Sequence, residues 1–133
     1  MRVLSCVIFC CVSSTLCLAQ DQPSAPQMTP SFTRCMEAVD LGAMKISQWT
    51  VCYQQEYKRQ DAFLNSEYQA LRGRSLASNL PGLTAAQRSW ISYRDAWCKY
   101  EATLDVAPSP ELNGLACLVE VTAAQVRKLK TVF

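Results

Sequence analysis

Histidine is absent from this 133-residue chain, and its absence removes several kinds of chemistry. Nucleophilic catalysis by serine or cysteine usually depends on a histidine base, which this chain cannot supply. Zinc sites usually combine histidine with closely spaced cysteines, and no Cys-x-x-Cys spacing occurs. The sequence therefore predicts no catalytic residue, no metal site and no bound cofactor.

A concentrated excess of positive charge is also missing. The chain has 13 basic and 11 acidic residues, and the acids are spread at helical intervals, as on solvated faces. Nucleic-acid binding needs a concentrated positive field, so nucleic acid is not the expected partner. Paired carboxylates would serve a glycosidase. A cell-wall hydrolase is therefore an alternative, but the scattered acids do not favour it.

A long apolar run occurs only at the N-terminus. Arg2 precedes an apolar run over 3–18 that is short for a membrane span and ends beside small residues, as signal peptidase requires. We expect residues 1–19 to be a signal peptide that sends the chain to a bacterial periplasm or outside the cell. No stable membrane insertion is then expected after cleavage. A retained N-terminal anchor and a later cut after Ala25 are the alternatives.

Prolines mark the start of the folded domain. Residues 20–31 combine three prolines with polar residues, which predicts a flexible tether. The helical domain is then expected over 32–133, a length that suits one domain. Cleavage removes four of the eight cysteines. The remaining four imply two disulfides, because the cysteines of exported proteins are oxidised outside the cytoplasm.

Apolar residues recur at helical spacing through the rest of the chain. Helices are predicted over 52–75, 85–104 and 115–129. Thr84 and Gln87 form a capping box at the start of the second. A shorter helix carrying Cys35 is expected before these, capped by Ser31 or Thr33. The sequence predicts an all-α fold: a small, disulfide-stapled antiparallel bundle of three to four helices.

Helix geometry restricts the pairing of the four cysteines, which allow three pairings. A helix rises about 1.5 Å per residue, so distant cysteines on one helix cannot come within the roughly 7 Å that a bridge requires. Each sequence-adjacent pair therefore needs a chain reversal between its members, which the proline-rich segment 105–114 and Gly42 offer. Cys35–Cys52 with Cys98–Cys117 is the preferred pairing, and the other two remain open.

A polar and aromatic stripe runs along the second predicted helix. It comprises Gln87, Trp90 with Ile91, Arg94, Trp97 with Cys98, and Glu101. A similar stripe on the preceding helix comprises Asp61, Asn65 and Tyr68. If the two stripes face each other, Asp61 pairs with Arg94. A buried network that fixes helix register is favoured over a preorganised polar binding site. Trp90 and Trp97 are expected in the core.

Taken together, these motifs resemble the LprI-type lysozyme inhibitor domain, a family of small exported bacterial proteins. The resemblance covers about residues 35–129, and its pattern includes Asp-x-x-Leu-Asn-x-x-Tyr and Ala-Gln-x-x-Trp-x-x-x-Arg-Asp-x-x-Cys. The matching positions are Cys52, Asp61, Leu64, Asn65, Tyr68, Ala86, Gln87, Trp90, Arg94, Asp95, Cys98, Cys117, Thr122, Arg127 and Leu129.

The resemblance implies a disulfide-stapled helical domain and, for some members, inhibition of lysozyme outside the cytoplasm. The expected function is that of an exported binding protein, not an enzyme, that blocks the glycan cleft of a lysozyme or muramidase. The alternative is a periplasmic immunity or envelope-accessory protein that binds another secreted partner. The oligomeric state does not follow from the sequence.

An acidic segment beyond the second helix is the predicted contact region. C-type lysozymes are strongly basic, so an inhibitor associates faster through an acidic face. Glu101, Asp105 and Glu111 lie at the end of that helix and in its loop, and Asn113 completes the predicted partner-binding set. The loop has two prolines where the family usually has a glycine-rich connection, so its target specificity is expected to differ.

Overall fold

Four α-helices make up most of the computed structural model, which describes residues 27–40, 42 and 45–132. They are α1 (Pro30–Glu37), α2 (Ile46–Arg74), α3 (Leu80–Glu101) and α4 (Pro110–Thr131), with a 3-10 turn, Ala77–Asn79, between α2 and α3. No strand occurs within the described residues. The predicted all-α bundle of three to four helices is confirmed.

The first helix begins slightly before residue 32, the predicted start of the domain. The side-chain oxygen of Thr29 accepts a hydrogen bond from the Phe32 N–H at 3.2 Å and caps α1. Pro30 then takes the first helical position, where its missing N–H costs nothing. Thr29, and not Ser31 or Thr33, is therefore the cap. The predicted signal peptide over 1–19 lies outside the described residues and stays a prediction.

Both later helices start earlier than the sequence predicts, and in each a proline lies in the first turn. α3 begins at Leu80, so Thr84 lies inside the helix and the predicted capping box is wrong. α4 begins at Pro110, and the Ser109 side chain caps it by accepting from the Leu112 N–H at 3.2 Å. These prolines begin helices because the first turn leaves its N–H groups without helical partners.

α4 is the central element, since both α2 and α3 pack along it. Its buried residues lie at intervals of one to three positions and are Leu112, Gly114, Cys117, Val119, Thr122, Ala123, Val126 and Leu129. Val126 and Leu129 meet Leu64 and Leu71 of α2 in the main apolar cluster, against which Trp90 of α3 also packs. α1 packs on α2. Every helix of the described residues is too short or too polar to cross a membrane.

Two disulfides join neighbouring helices with the preferred pairing, which is confirmed. Cys35–Cys52 connects α1 to α2 with a Cα–Cα distance of 5.7 Å, and Cys98–Cys117 connects α3 to α4 with a distance of 5.4 Å. Loops of this size restrict the unfolded chain enough for about 3 kcal/mol of stabilisation each. That contribution is large for a domain with so small a core.

Gly114 allows the end of α3 to approach the start of α4 beside the second disulfide. A Cβ atom at this position would lie 2.6 Å from the Ala102 Cβ and 3.1 Å from the Cys98 carbonyl oxygen. Both separations are shorter than a methyl group tolerates without displacing its neighbours. The position therefore needs glycine for close packing.

We expect Gly114→Ala to destabilise the fold by about 1–3 kcal/mol, because the added methyl group forces the two helices apart. Urea unfolding of the oxidised protein measures this change. Gly73→Ala is the matched control: its Cβ would meet nothing within 4 Å, so helix propensity should raise stability by about 0.5–1 kcal/mol. Equal effects of the two variants would contradict the close-packing role of Gly114.

Candidate functional site

A buried arginine in the middle of α3 connects the three long helices. The Arg94 side chain is only 8% exposed, and its Nε and Nη2 atoms lie 2.9 and 2.8 Å from Asp95 Oδ1. Nη1 lies 3.8 Å from Asp61 Oδ1 on α2 and 3.5 Å from Thr122 Oγ1 on α4. The predicted pairing of Asp61 with Arg94 is therefore present.

Two aromatic rings stack on the same guanidinium group. Its central carbon lies 5.7 Å from the ring centre of Tyr57 on α2 and 5.2 Å from that of Trp90 on α3. Burial raises the pKa of the Tyr57 hydroxyl above its ordinary value, and the charge of Arg94 only partly opposes this. The phenol therefore stays protonated near neutral pH. The arrangement binds the helices together through one buried cation.

Of the remaining motif side chains, Asn65 reaches the Arg94 network through Asp61, whereas Gln87 and Tyr68 have other partners. The Asn65 amide donates to the Asp61 backbone carbonyl at 2.9 Å and to Asp61 Oδ2 at 3.2 Å, within α2. Gln87 is buried and accepts from the Gln125 amide at 3.3 Å. Tyr68 packs against the main apolar cluster. Asn65 and Gln87 thus have separate partners, one within α2 and the other on α4.

Trp97 is exposed, and the expectation that it lies in the core is wrong. Its side chain is 45% exposed, between Tyr93 at 56% and Tyr100 at 53%. Cys98 takes the inward position on this turn, and adjacent residues on a helix point about 100° apart. We call Tyr93, Trp97 and Tyr100 the aromatic stripe, because their i, i+4, i+7 spacing places them along one side of α3.

The rings of the aromatic stripe contact one another in series. The Tyr93 and Trp97 ring centres are 6.4 Å apart with nearly parallel planes, and those of Trp97 and Tyr100 are 5.6 Å apart. The Trp97 indole N–H donates to Glu101 Oε1 at 2.6 Å. The central ring is thereby held in a fixed orientation at the surface.

The four residues predicted to contact a partner lie in different surroundings. Glu101 is half-buried against Trp97, whereas Asp105 and Glu111 are exposed. Asn113 donates its amide to the Val106 carbonyl at 2.9 Å and so holds the loop between α3 and α4. Glu111 lies in the first turn of α4, where the helix dipole stabilises a negative charge. Their role in binding remains a prediction.

A groove of about 480 Å³ opens among the three long helices. Its lining residues are Gln54, Tyr57, Arg94, Asp95, Cys98, Lys99, Ala102, Glu111, Gly114, Leu115 and Leu118. The charges on its walls are mixed: Arg94 and Lys99 are positive, and Asp95 and Glu111 are negative. Within the described residues, no group of three or more acidic or cysteine side chains is arranged to hold a metal ion.

A buried carboxylate on α2 is the main polar feature that the sequence analysis missed. Glu56 is 0% exposed and accepts from the Thr29 N–H at 2.8 Å and the Thr29 hydroxyl at 2.6 Å. Gln60 and Arg59 donate to it at 2.7 and 2.9 Å. Burial alone would raise the pKa of Glu56, but these hydrogen bonds outweigh it and lower the pKa. Glu56 thus ties the segment before α1 to α2.

Comparison with known proteins identifies the family. The model of the family described as lysozyme inhibitor LprI matches residues 24–129, which is most of the chain. The chain belongs to the LprI family. An uncharacterized protein of Rhizobium meliloti (strain 1021) is 28% identical to this LprI-family chain over 123 residues, 80% of the chain and 81% of that protein. No solved structure gives a significant match.

The LprI motif positions and the exposed surface of this chain are largely separate. Among the motif residues, Leu64, Gln87 and Arg94 are buried. All three members of the aromatic stripe lie outside the motif. The residues that carry the LprI resemblance therefore mainly support the bundle, whereas α3 also presents side chains that packing does not require.

We expect Arg94→Ala to lower stability by about 2 kcal/mol, because it removes a buried stack on two rings and several charge-assisted hydrogen bonds. Thermal unfolding measures the loss, and Arg88→Ala, which changes an exposed arginine of the same helix, should have little effect. If Arg94→Ala kept full stability but lost partner binding, the structural role of the network would be refuted.

Acid should unfold the protein partly through Glu56. Because the folded-state pKa is lowered, the carboxylate stabilises the fold above its unfolded pKa of about 4.3, and this stabilisation is lost as pH falls through the folded value. Glu56→Gln should therefore be less stable at neutral pH and lose less stability below about pH 4. Urea titrations between pH 7 and pH 2 test this. Glu37→Gln, at an exposed position of α1, should keep the unaltered pH profile.

Proposed function

We propose that this chain is an exported binding protein that inhibits a lysozyme or muramidase by blocking its glycan cleft. The observation that carries the proposal is the match of the lysozyme inhibitor LprI family over residues 24–129. The family assignment implies a protein partner such as lysozyme. The loop between α3 and α4 and the helices that hold it support the proposal that inhibition occurs by blocking the cleft.

The loop between α3 and α4 is exposed yet held at both ends. The Cys98–Cys117 bridge fixes the helices that carry it. From the first turns of α4, the Asn113 amide donates to the Val106 carbonyl in the loop at 2.9 Å, and Val106 itself is exposed. A preorganised loop loses little conformational entropy on binding. An exposed loop with an apolar residue suits insertion into a concave substrate cleft.

Local charge supports a basic partner better than the overall charge does. The formal net charge of the full sequence is +2, so the molecule as a whole does not attract a basic enzyme. Glu101, Asp105 and Glu111 follow one another through the end of α3, the loop and the start of α4. Acids in this segment would guide a basic lysozyme to the loop and increase the association rate.

A binding role also agrees with the chemistry of the buried centre. One oxygen of Asp61 and one oxygen of Asp95 each form an ion pair with the Arg94 guanidinium, at 3.8 and 2.8 Å. A glycosidase instead needs one carboxyl group as acid and another as nucleophile or base beside the scissile bond. Inhibition by steric occupation requires neither group. The proposed activity therefore needs no catalytic residue of this chain.

The oxidised protein should slow peptidoglycan lysis by a c-type lysozyme at about 1 µM or below. A turbidity assay measures this, and the protein alone should cause no lysis. Absence of inhibition of c-, g- and i-type enzymes, together with no complex on gel filtration, would contradict the proposal. In that case a different secreted partner should be sought.

The second disulfide should matter more for inhibition than the first. A variant with both Cys98→Ser and Cys117→Ser frees the loop helices, whereas the matched control with Cys35→Ser and Cys52→Ser frees α1. Using variants leaves any disulfide of the target enzyme intact. We expect at least about tenfold weaker inhibition by the first variant than by the control, at a temperature where circular dichroism shows both to be folded.

A further inference from the structure

We propose that the aromatic stripe, Tyr93, Trp97 and Tyr100, is the anchor with which this chain binds a basic lysozyme-type protein. The inference rests on the proposed function and adds to it a specific apolar surface beside the acidic loop. It begins from the exposure of these side chains, which are about half accessible to solvent although all three are large aromatic residues. The bundle leaves this side of α3 open.

The stripe has the composition of an interface hot spot. Tryptophan and tyrosine are the residues most enriched among those that dominate binding energy, because they bury a large area with few rotatable bonds. Here three such rings lie in one row with neighbouring centres 6.4 and 5.6 Å apart. A partner that covers this row buries one continuous apolar surface.

The central ring is already oriented before a partner arrives. The Trp97 indole is in contact with a tyrosine on each side, and its N–H is held by Glu101 at 2.6 Å. Fixing an aromatic side chain in advance reduces the entropy lost on association. The same hydrogen bond satisfies the polar edge of the indole, so the buried ring would carry no unpaired donor into the interface.

Charge around the stripe specifies the kind of partner. On a helix, the nearest surface neighbours lie three or four positions away. Among the residues at those positions, Ser89, Ala96 and Thr103 are exposed and carry no charge. Glu101, which is half-buried, is the acid among them. Asp105 follows in the loop beyond α3. Lys99, which is also exposed, is the one cation in the last turn of α3, near this end of the row. With Glu101 and Asp105 beside it, the loop end is net acidic, which favours a basic protein over an anionic polymer or membrane.

The position of the stripe connects it with the proposed cleft-blocking loop. Tyr100 lies in the last turn of α3, and its carbonyl accepts from the Thr103 N–H at 2.8 Å and the Thr103 hydroxyl at 2.6 Å at the start of the loop. The stripe and the loop therefore form adjoining parts of one surface. The loop enters the cleft, and the stripe packs on the rim of the enzyme.

The test compares affinities for a c-type lysozyme by isothermal titration calorimetry. Trp97→Ala should weaken binding by at least about tenfold, the scale of a hot-spot residue. The matched control is Phe63→Ala, which removes an aromatic side chain of equal exposure, 46%, from α2. The control should bind like the unaltered protein. Thermal unfolding of both variants verifies that each is folded at the assay temperature.

Glu101→Gln separates charge from ring orientation. The glutamine amide oxygen can still accept from the Trp97 indole, but the negative charge is gone. Stopped-flow measurements at low salt should show association slowed by about twofold or more with dissociation nearly unchanged, and the difference should shrink as salt screens the charge. A purely structural role of Glu101 would leave the association rate unchanged, which would overturn the charge part of the inference.

The outcomes distinguish this inference from the proposed function. If the unaltered protein inhibits lysozyme and Trp97→Ala binds equally well, the stripe is not the anchor and the proposed function stands. If the unaltered protein binds no lysozyme, the proposed function and the role of the stripe are both refuted. If it instead binds soluble chitooligosaccharides and Trp97→Ala abolishes that binding, the stripe is a glycan platform and the inference is overturned.

Discussion

The fold depends on the need to neutralise one buried guanidinium group. A charge placed among three helices is costly unless acids and aromatic faces surround it. Arg94 has both: Asp95 and Asp61 supply the acids, while Tyr57 and Trp90 cover its faces. These partners come from α2 and α3. Their shared interaction with one planar group fixes the register of two helices whose main packing surface is α4.

Helical periodicity predicted the interiors of the long helices, but it did not predict their starts. Apolar spacing identifies a helix only where one face is buried. The first turns of α3 and α4 contain Pro81 and Pro110, and the proline-rich segment with Pro110 was predicted to be a chain reversal. A proline in a helix interior removes a hydrogen bond to the carbonyl one turn earlier, and its ring clashes with that carbonyl. The first turn has no such helical carbonyl before it, so a proline there is tolerated. The cap at Ser109 was the available signal, since serine before proline is typical of a helix start.

The candidate surface was harder to predict than the fold, because polarity does not by itself reveal burial. Glu56 was grouped with solvated acids, yet it lies on the i+4 line that runs from Cys52 to Leu64, both buried. This i+4 spacing between buried residues was the signal that could have predicted the burial of Glu56. For Trp97 the error was the opposite, since its size and apolar character predicted burial but it is exposed. Cys98 beside it must face α4 to form its disulfide. The bridge therefore determines which side of α3 faces outward.

The second disulfide thus acts on structure and on the candidate surface together. It draws α3 against α4 where Gly114 permits close approach, and this contact leaves Trp97 and its tyrosine neighbours facing solvent. Rotating α3 to bury Trp97 would move Cys98 away from Cys117 and carry Arg94 away from its acids. The same interactions that stabilise the bundle therefore oppose burial of the stripe. Because this exposure is imposed by packing, exchange of the stripe residues is expected to leave the LprI fold intact.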